Sequence, residues 1–154
     1  MSLHVETRGA SDGVRAVLLH GTSGRGSDMF DFFGDLPGYQ FSAPDRTNYG
    51  DSPQAPDGIA AIDEDADQVA VLLGSGGHLL GVSYGAVVAL VTASRYPDRV
   101  RTLTVHEPPA FHLAGGDPSA EALIETRTHS TCFFLRASSN TRKLWAAKDS
   151  NLQP

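Results

Sequence analysis

The amino-acid sequence predicts an α/β fold in which a mostly parallel central sheet is covered by flanking helices. Two observations indicate this class. Segments typical of strands and of helices alternate up to about residue 110, which is the pattern of a sheet built from strand–helix units. Residues 16–19 (Ala-Val-Leu-Leu) are continuously apolar, as expected for a strand at the centre of a parallel sheet, where both faces are buried.

Five strands can be placed in chain order. The first alternates apolar and polar side chains as a half-buried strand does, and the second is the apolar run at residues 16–19. The last is ended by Glu107-Pro108-Pro109, which cannot continue a strand. The strands are predicted over residues 3–7, 16–19, 39–44, 78–82 and 101–106.

Three helices are predicted between these strands. The weakest covers residues 27–36, with Ser27 as its N-cap. In the second, between residues 59 and 73, apolar side chains recur three or four positions apart, and the acidic run at 63–67 is expected to be a solvated helix start. The third begins after Ser83 and runs to residue 96, before Pro97.

Composition excludes several classes of function. The 154 residues are enough for one domain with its own core. With 12 basic and 18 acidic residues the net charge is −6, so the chain lacks the basic surface that binds nucleic acid or an anionic membrane. A single cysteine, Cys132, excludes an internal disulfide and a multi-cysteine metal site. No cofactor and no metal are predicted.

The sequence contains no apolar run long enough for a membrane span and no signal-peptide stretch at its start. We therefore expect a cytoplasmic protein. The partner that suits its charge is a small, neutral or ester-like substrate, and the sequence does not indicate an oligomeric state.

A serine lies between two glycines where a strand is predicted to turn into a helix. The segment Gly81-Val82-Ser83-Tyr84-Gly85 matches the G-x-S-x-G arrangement that exposes a serine hydroxyl on a sharp turn. Glycines two residues before and after the serine suit such a turn, because it leaves no room for large side chains. The helix that follows directs the positive end of its dipole toward the serine. The segment therefore predicts a nucleophile, Ser83.

Three segments together resemble the α/β-hydrolase family, over roughly residues 1–112. They are residues 20–24 after the first central strand, residues 45–52 after the next strand, and the serine segment at 81–85. The resemblance implies an α/β-hydrolase-like fold that is incomplete in its C-terminal half. In the second segment the family more often has glycine where this chain has Asn48. Asparagine tolerates positive φ better than most residues, so the turn is expected to form.

The resemblance also implies roles for individual residues. The backbone N–H groups of Thr22 and Tyr84 would form the oxyanion hole, and Ser83 would attack a carbonyl carbon. The motif residues that support this arrangement, without reacting themselves, are His20, Gly21, Gly81 and Gly85.

The family places an acid and then a histidine after later strands, and the chain ends before such strands can be recognised. Glu107, after the last predicted strand, is one candidate acid, and His129 would have to fold back to serve as the base. His106 is expected to line the pocket or to be structural. Because a serine hydroxyl is a poor nucleophile without a base, catalytic competence of this chain depends on whether one is supplied.

Composition changes abruptly after about residue 125. All 16 glycines precede residue 117, and residues 1–125 carry a net charge of −10 against +4 for residues 126–154. We therefore predict an α/β-hydrolase-like N-terminal part over 1–125 and an atypical, poorly ordered tail over 126–154. Truncation or a frameshift near residue 125 would explain the change in composition.

Three hypotheses about function stay open at this point. The first is a serine hydrolase acting on a small ester or related carbonyl compound through Ser83. The second is a non-catalytic module that binds a ligand or a partner protein, favoured by the missing base. The third is that the chain is not stable alone, because the last parallel strand would leave an exposed sheet edge.

Overall fold

The computed structural model describes residues 2–31, 36–109, 132–136 and 145–147. These residues form one sheet with two α-helices and two short 3-10 helices. The strands are β1 Val5–Gly9, β2 Val14–Leu19, β3 Tyr39–Pro44, β4 Gly77–Val82, β5 Val100–His106, β6 Cys132–Arg136 and β7 Trp145–Ala147. The helices are α1 Ile62–Leu73 and α2 Tyr84–Arg95, and the 3-10 helices are Gly26–Asp31 and Pro97–Arg99.

The sheet is mixed, with a parallel centre. Its strand order is β1-β3-β2-β4-β5-β6-β7. Strands β3, β2, β4 and β5 run parallel to one another, and β1, β6 and β7 are antiparallel to their neighbours. The carboxyl ends of the parallel strands therefore lie along one edge, which brings together the segments that begin at His20, Asp45, Ser83 and Glu107.

Side chains on both faces of the central strands are buried, as the apolar run in β2 predicts. Val17 and Leu19 of β2 point into the cluster beneath α1 and α2, whereas Ala16 and Leu18 point into a second cluster on the opposite face. The first cluster also contains Val69, Leu73, Leu79, Ala86, Val88, Ala89, Val100, Leu103 and Val105. The second also contains Met29, Phe30, Phe41 and Ala43. The α/β class with a mostly parallel sheet is thus confirmed.

Element boundaries differ from the sequence predictions in a few places. Strand β1 lies two residues later than predicted, because its second half is held by backbone pairing to β3 and not by apolar burial. The α-helix predicted over 27–36 is wrong for the part that the structure describes. A 3-10 helix covers Gly26–Asp31, and Leu36, the last residue of the predicted helix, is half exposed. Residues 32–35 lie outside the described residues.

Strand β5 is not an open edge of the sheet. Strand β6 pairs with it in antiparallel register, with Leu135 opposite Leu103. Strand β6 forms at the apolar run of residues 132–135, within the tail that was predicted to be poorly ordered. The rest of residues 126–154, apart from β7, lies outside the described residues, so the poor order of the tail and its division from residues 1–125 stay predictions. Within the described segments, neither α-helix has the length and apolar character to cross a membrane.

Asp45, at the end of β3, joins three segments of the edge that carries the motifs. Its buried carboxylate accepts hydrogen bonds from the Gly26 N–H at 2.7 Å, from the Asp51 N–H at 2.9 Å and from His4 Nδ1 at 3.1 Å. Burial raises the pKa of this carboxyl, but the bonds from Asp51, Gly26 and His4 outweigh burial, so that the pKa lies below its ordinary value. The ionised carboxylate therefore holds the loop after β3 against the start of the chain.

Asp45→Asn is expected to lower the free energy of unfolding by about 2 kcal/mol, because an amide NH₂ would then face a backbone N–H donor in a buried site. Urea unfolding measures the change. Asp51→Asn is the matched control: it removes the same charge from the same loop at an exposed side chain, with an expected effect within about 0.5 kcal/mol. Equal losses in the two variants would contradict the role of Asp45.

Candidate active site

Ser83 occupies a sharp bend between β4 and α2. Its backbone has φ 52° and ψ −123°, a conformation that non-glycine residues rarely adopt. The bend is held on both sides, since the Ser83 N–H donates to the His106 carbonyl at 2.8 Å and the Ala86 N–H donates to the Ser83 carbonyl at 2.9 Å. Strain of this kind persists only where surrounding contacts enforce it, and it is concentrated at functional sites.

The Ser83 side chain is not used to cap α2. A serine at the N-cap of a helix ordinarily accepts a hydrogen bond from one of the first backbone N–H groups. Here Ser83 is the N-cap residue and makes no such bond. The hydroxyl is therefore left for another partner.

Three glycines allow the segments around Ser83 to pack closely. A Cβ on Gly81 would lie 2.6 Å from the carbonyl carbon of Gly85, and one on Gly85 would lie 2.8 Å from the carbonyl carbon of Leu19. A Cβ on Gly21 would lie 3.1 Å from the Ser83 Cβ and 3.7 Å from its Oγ. The loop after β2 thus passes directly beside the serine, and larger side chains at these positions would push the segments apart.

His20 is buried behind this loop and is held as a neutral imidazole. Its Nε2 accepts a hydrogen bond from the Arg46 N–H at 3.1 Å. Because a backbone N–H can only donate, the ring proton is on Nδ1, which donates to the Gly21 carbonyl at 2.7 Å. Burial is the largest cause that lowers the pKa of His20, against the opposing effect of the Gly21 bond. Both ring nitrogens are engaged, so His20 is a structural residue.

The loop after β3 contributes Arg46, Asn48 and Tyr49 to a cleft that also includes Tyr84, the residue after Ser83. Asn48 has φ 73°, so the turn forms with asparagine where the family more often has glycine. The Asn48 side chain stabilises it by donating to the Gly58 carbonyl at 3.0 Å and accepting from the Ala55 N–H at 2.6 Å. This loop supplies one wall of the cleft.

The cleft has a volume of about 530 Å³ and brings together both residues whose N–H groups are predicted to form the oxyanion hole. Its lining consists of Thr22, Arg46, Asn48, Tyr49, Gly58, Ile59, Ala60 and Tyr84. Ser83 is adjacent to Tyr84 in the chain but does not itself appear in this lining. Burial raises the pKa of the Tyr84 phenol, which stays protonated at neutral pH and offers an apolar ring with one polar end.

No histidine or carboxylate within the described segments hydrogen-bonds to the Ser83 hydroxyl. His4 is paired with Asp45, and His78 is hydrogen-bonded to Thr102 at 2.6 Å. His106 is the last residue of β5. It lies opposite Val82, the residue that precedes Ser83 in the chain. Glu107 follows it with φ 50° and is exposed. His129, the candidate base, lies outside the described residues.

Two buried charged residues next to the cleft were missed by the sequence interpretation. Asp65 is fully buried on α1, although the acidic run was expected to be solvated, and its Oδ1 accepts from the Thr47 Oγ1 at 2.6 Å. The helical spacing could have revealed this burial, since Asp65 precedes Val69 by four residues and so shares its inward face. Arg46 is 1% exposed. Nothing in its local pattern distinguishes it from a solvated loop arginine.

The family model for the alpha/beta hydrolase fold matches residues 17–127. The chain belongs to this family. The match covers all three segments that carry the resemblance, from the loop after β2 to the turn at Ser83.

The relatives that match this chain include proteins named as a lipase and as an esterase. The chain is 31% identical over 112 residues to Lipase LipV of Mycobacterium tuberculosis, covering 70% of this chain and 42% of that protein. It is 38% identical over 101 residues to a pimeloyl-[acyl-carrier protein] methyl ester esterase of Neisseria meningitidis. This match covers 64% of this chain and 38% of that protein. A marine microorganism esterase has a similar structure, with a TM-score of 0.60 and 26% identity over 68% of this chain and 41% of that one. The chain therefore spans about two fifths of the length of these relatives.

The stability of the chain is expected to depend on pH through His20. Because the folded protein lowers the pKa of His20, the unfolded chain binds more protons at mildly acidic pH. The stability that His20 contributes is complete above its ordinary pKa of about 6.5 and is lost as the pH falls through the lower folded-state value. The free energy of unfolding should therefore decrease between about pH 7 and pH 5, and less steeply in His20→Gln.

Urea unfolding of both proteins at a series of pH values measures this difference. A pH dependence in His20→Gln as steep as in the natural sequence would show that His20 is not held neutral by the fold.

Proposed function

We propose that this chain carries the nucleophile and the oxyanion hole of an ester hydrolase. Ser83 Oγ transfers its proton to a base and attacks the carbonyl carbon of a small ester, and the oxyanion formed from the C=O bond accepts hydrogen bonds from the Thr22 and Tyr84 N–H groups. When the oxyanion collapses, the alcohol leaves with the proton, and water then hydrolyses the acyl-serine by the same route. The observation that carries the proposal is the strained bend at Ser83, with the loop of Gly21 packed against the serine side chain.

The state of the two N–H groups supports this assignment. Within the described segments, neither the Thr22 N–H nor the Tyr84 N–H donates to another group. Tyr84 is the first residue of α2, so its N–H also carries the positive end of the helix dipole. Fixed donors that meet charge only in the transition state are typically worth about 3 to 4 kcal/mol each.

The printed names of the relatives support the class of reaction. Two are a lipase and a methyl ester esterase, and the structural neighbour is an esterase. For this chain we propose a small-molecule ester as substrate, held in the cleft beside Tyr49 and Tyr84. The net charge of −6 argues against a nucleic-acid partner.

The base that accepts the Ser83 proton is a histidine other than His20. His20 is excluded, because both its ring nitrogens are already hydrogen-bonded. His129 is the candidate for the base and Glu107 the candidate for the acid. A second function, binding a ligand without turnover, is favoured by one observation: no base is hydrogen-bonded to Ser83 within the described segments.

Labelling with a fluorophosphonate separates the two functions. An activated serine next to an oxyanion hole forms a covalent phosphonyl adduct, so we expect labelling to approach about one adduct per chain. Ser83→Ala should abolish it. Ser94→Ala, at the exposed far end of α2, is the matched control and should label normally. Intact-protein mass spectrometry measures all three.

Two outcomes would contradict the enzyme. Folded protein that takes up no label would favour the binding function, and labelling that survives in Ser83→Ala would assign the nucleophile to another residue.

A further inference from the structure

The carbonyl of Gly21 is held by two donors from different parts of the chain. His20 Nδ1 donates to it at 2.7 Å, and Arg46 Nη2 donates at 3.1 Å. The same guanidinium also donates through Nε to the His20 carbonyl at 3.2 Å. One arginine side chain therefore binds two successive carbonyls of the loop that passes beside Ser83.

Holding the Gly21 carbonyl also orients the Thr22 N–H. These two groups belong to the same peptide unit, which is planar and trans, so that its C=O and N–H point in opposite directions. With the carbonyl directed toward Arg46 and His20, the Thr22 N–H is directed away from them. Gly21, which lacks a Cβ, would otherwise let this peptide rotate with little steric resistance.

The position of the arginine makes it a rigid clamp. Arg46 is 1% exposed, and its guanidinium lies 4.4 Å from the centre of the Tyr49 ring and 4.7 Å from that of Tyr84. Within the described segments, no carboxylate forms a salt bridge with Arg46. Carbonyl oxygens and aromatic faces thus compensate the positive charge. These contacts also fix the plane of the guanidinium group.

The charge also acts on the peptide electronically. A hydrogen bond from a cation to a carbonyl polarises the peptide unit and makes its N–H a stronger donor, since successive hydrogen bonds reinforce one another in a medium of low dielectric constant. The chain of interactions runs from the guanidinium through the Gly21 carbonyl to the Thr22 N–H. It ends at the place where negative charge would develop.

We propose that Arg46 is a positioning residue for the oxyanion hole: it sets the orientation and the donor strength of the Thr22 N–H by clamping the Gly21 carbonyl. The inference rests on the proposed use of that N–H in ester hydrolysis. Because such a donor acts mainly in the transition state, losing the clamp should lower kcat and leave KM nearly unchanged.

The test compares Arg46→Met, Arg46→Lys and Arg99→Met in the full chain. Methionine keeps much of the apolar stem but removes every donor, and lysine keeps the charge but cannot span two carbonyls. Arg99 is the matched control, since it also donates to a backbone carbonyl, that of Ala70 at 2.9 Å, and lies over a tyrosine ring, that of Tyr96 at 5.6 Å, away from the cleft.

Two measurements are made on each protein. The first is the residual dipolar coupling of the Thr22 N–H in ¹⁵N-labelled protein, which reports its orientation without requiring activity. The second is turnover of an aryl ester, with kcat and KM determined separately across pH.

We expect Arg46→Met to change the Thr22 coupling and to lower kcat on the order of 10- to 100-fold, less than the complete loss of one oxyanion donor. KM should stay within about twofold, and the pH profile should keep its shape. Arg46→Lys should lower kcat about 10-fold. If the methionine variant does not fold, the lysine variant alone tests the role of Arg46. Arg99→Met should leave the coupling and kcat unchanged.

An unchanged Thr22 coupling in both Arg46 variants would overturn the proposal, as would an equal loss of kcat in Arg99→Met. If the natural sequence turns over no ester, the proposed function fails, and the Thr22 coupling by itself still decides whether Arg46 sets this peptide.

Discussion

The close approach of two loops at one edge of the sheet is the constraint on which the site depends. The loop after β2 and the turn between β4 and α2 meet where Gly21 faces Ser83 and where Gly85 faces the end of β2. Parallel pairing of β2 with β4 brings the two segments side by side. Without glycine at these positions the backbones could not pack so closely, and the serine could not be held in its strained conformation.

Buried polar groups then hold the surrounding loops in place. Asp45 receives backbone donors from two segments, and Asp65 accepts from the backbone and the hydroxyl of Thr47. Arg46 and His20 between them satisfy two carbonyls of the loop beside the serine. Each of these side chains pairs with polar groups of other segments, which would cost about 1 to 3 kcal/mol if they were buried without a partner. The stability of these loops and the orientation of the Thr22 N–H therefore depend on the same contacts.

Local sequence patterns predicted the central strands, the two α-helices and the bend at Ser83, because each of these depends on neighbouring residues. The apolar run of β2, the helical spacing in α1 and the glycines around Ser83 each act within a few residues, and the fold class follows from their order. Contacts between residues far apart in the chain could not be predicted from such patterns. The burial of Arg46 arises from carbonyls some 25 residues earlier in the chain, and the pairing of β6 with β5 joins segments across the residues that the composition change separates. The sequence around Arg46 carries no signal of its burial, and the apolar run at 132–135 does not indicate which strand it pairs with.

A crystal structure of the phosphonylated chain would show directly whether Ser83 faces two amide donors. We expect a bond between Ser83 Oγ and phosphorus, with the phosphonyl oxygen about 2.7 to 3.1 Å from both the Thr22 and the Tyr84 nitrogens, as an oxyanion hole requires. An adduct whose oxygen points away from these two N–H groups, or a phosphorus atom bound to a different residue, would contradict it.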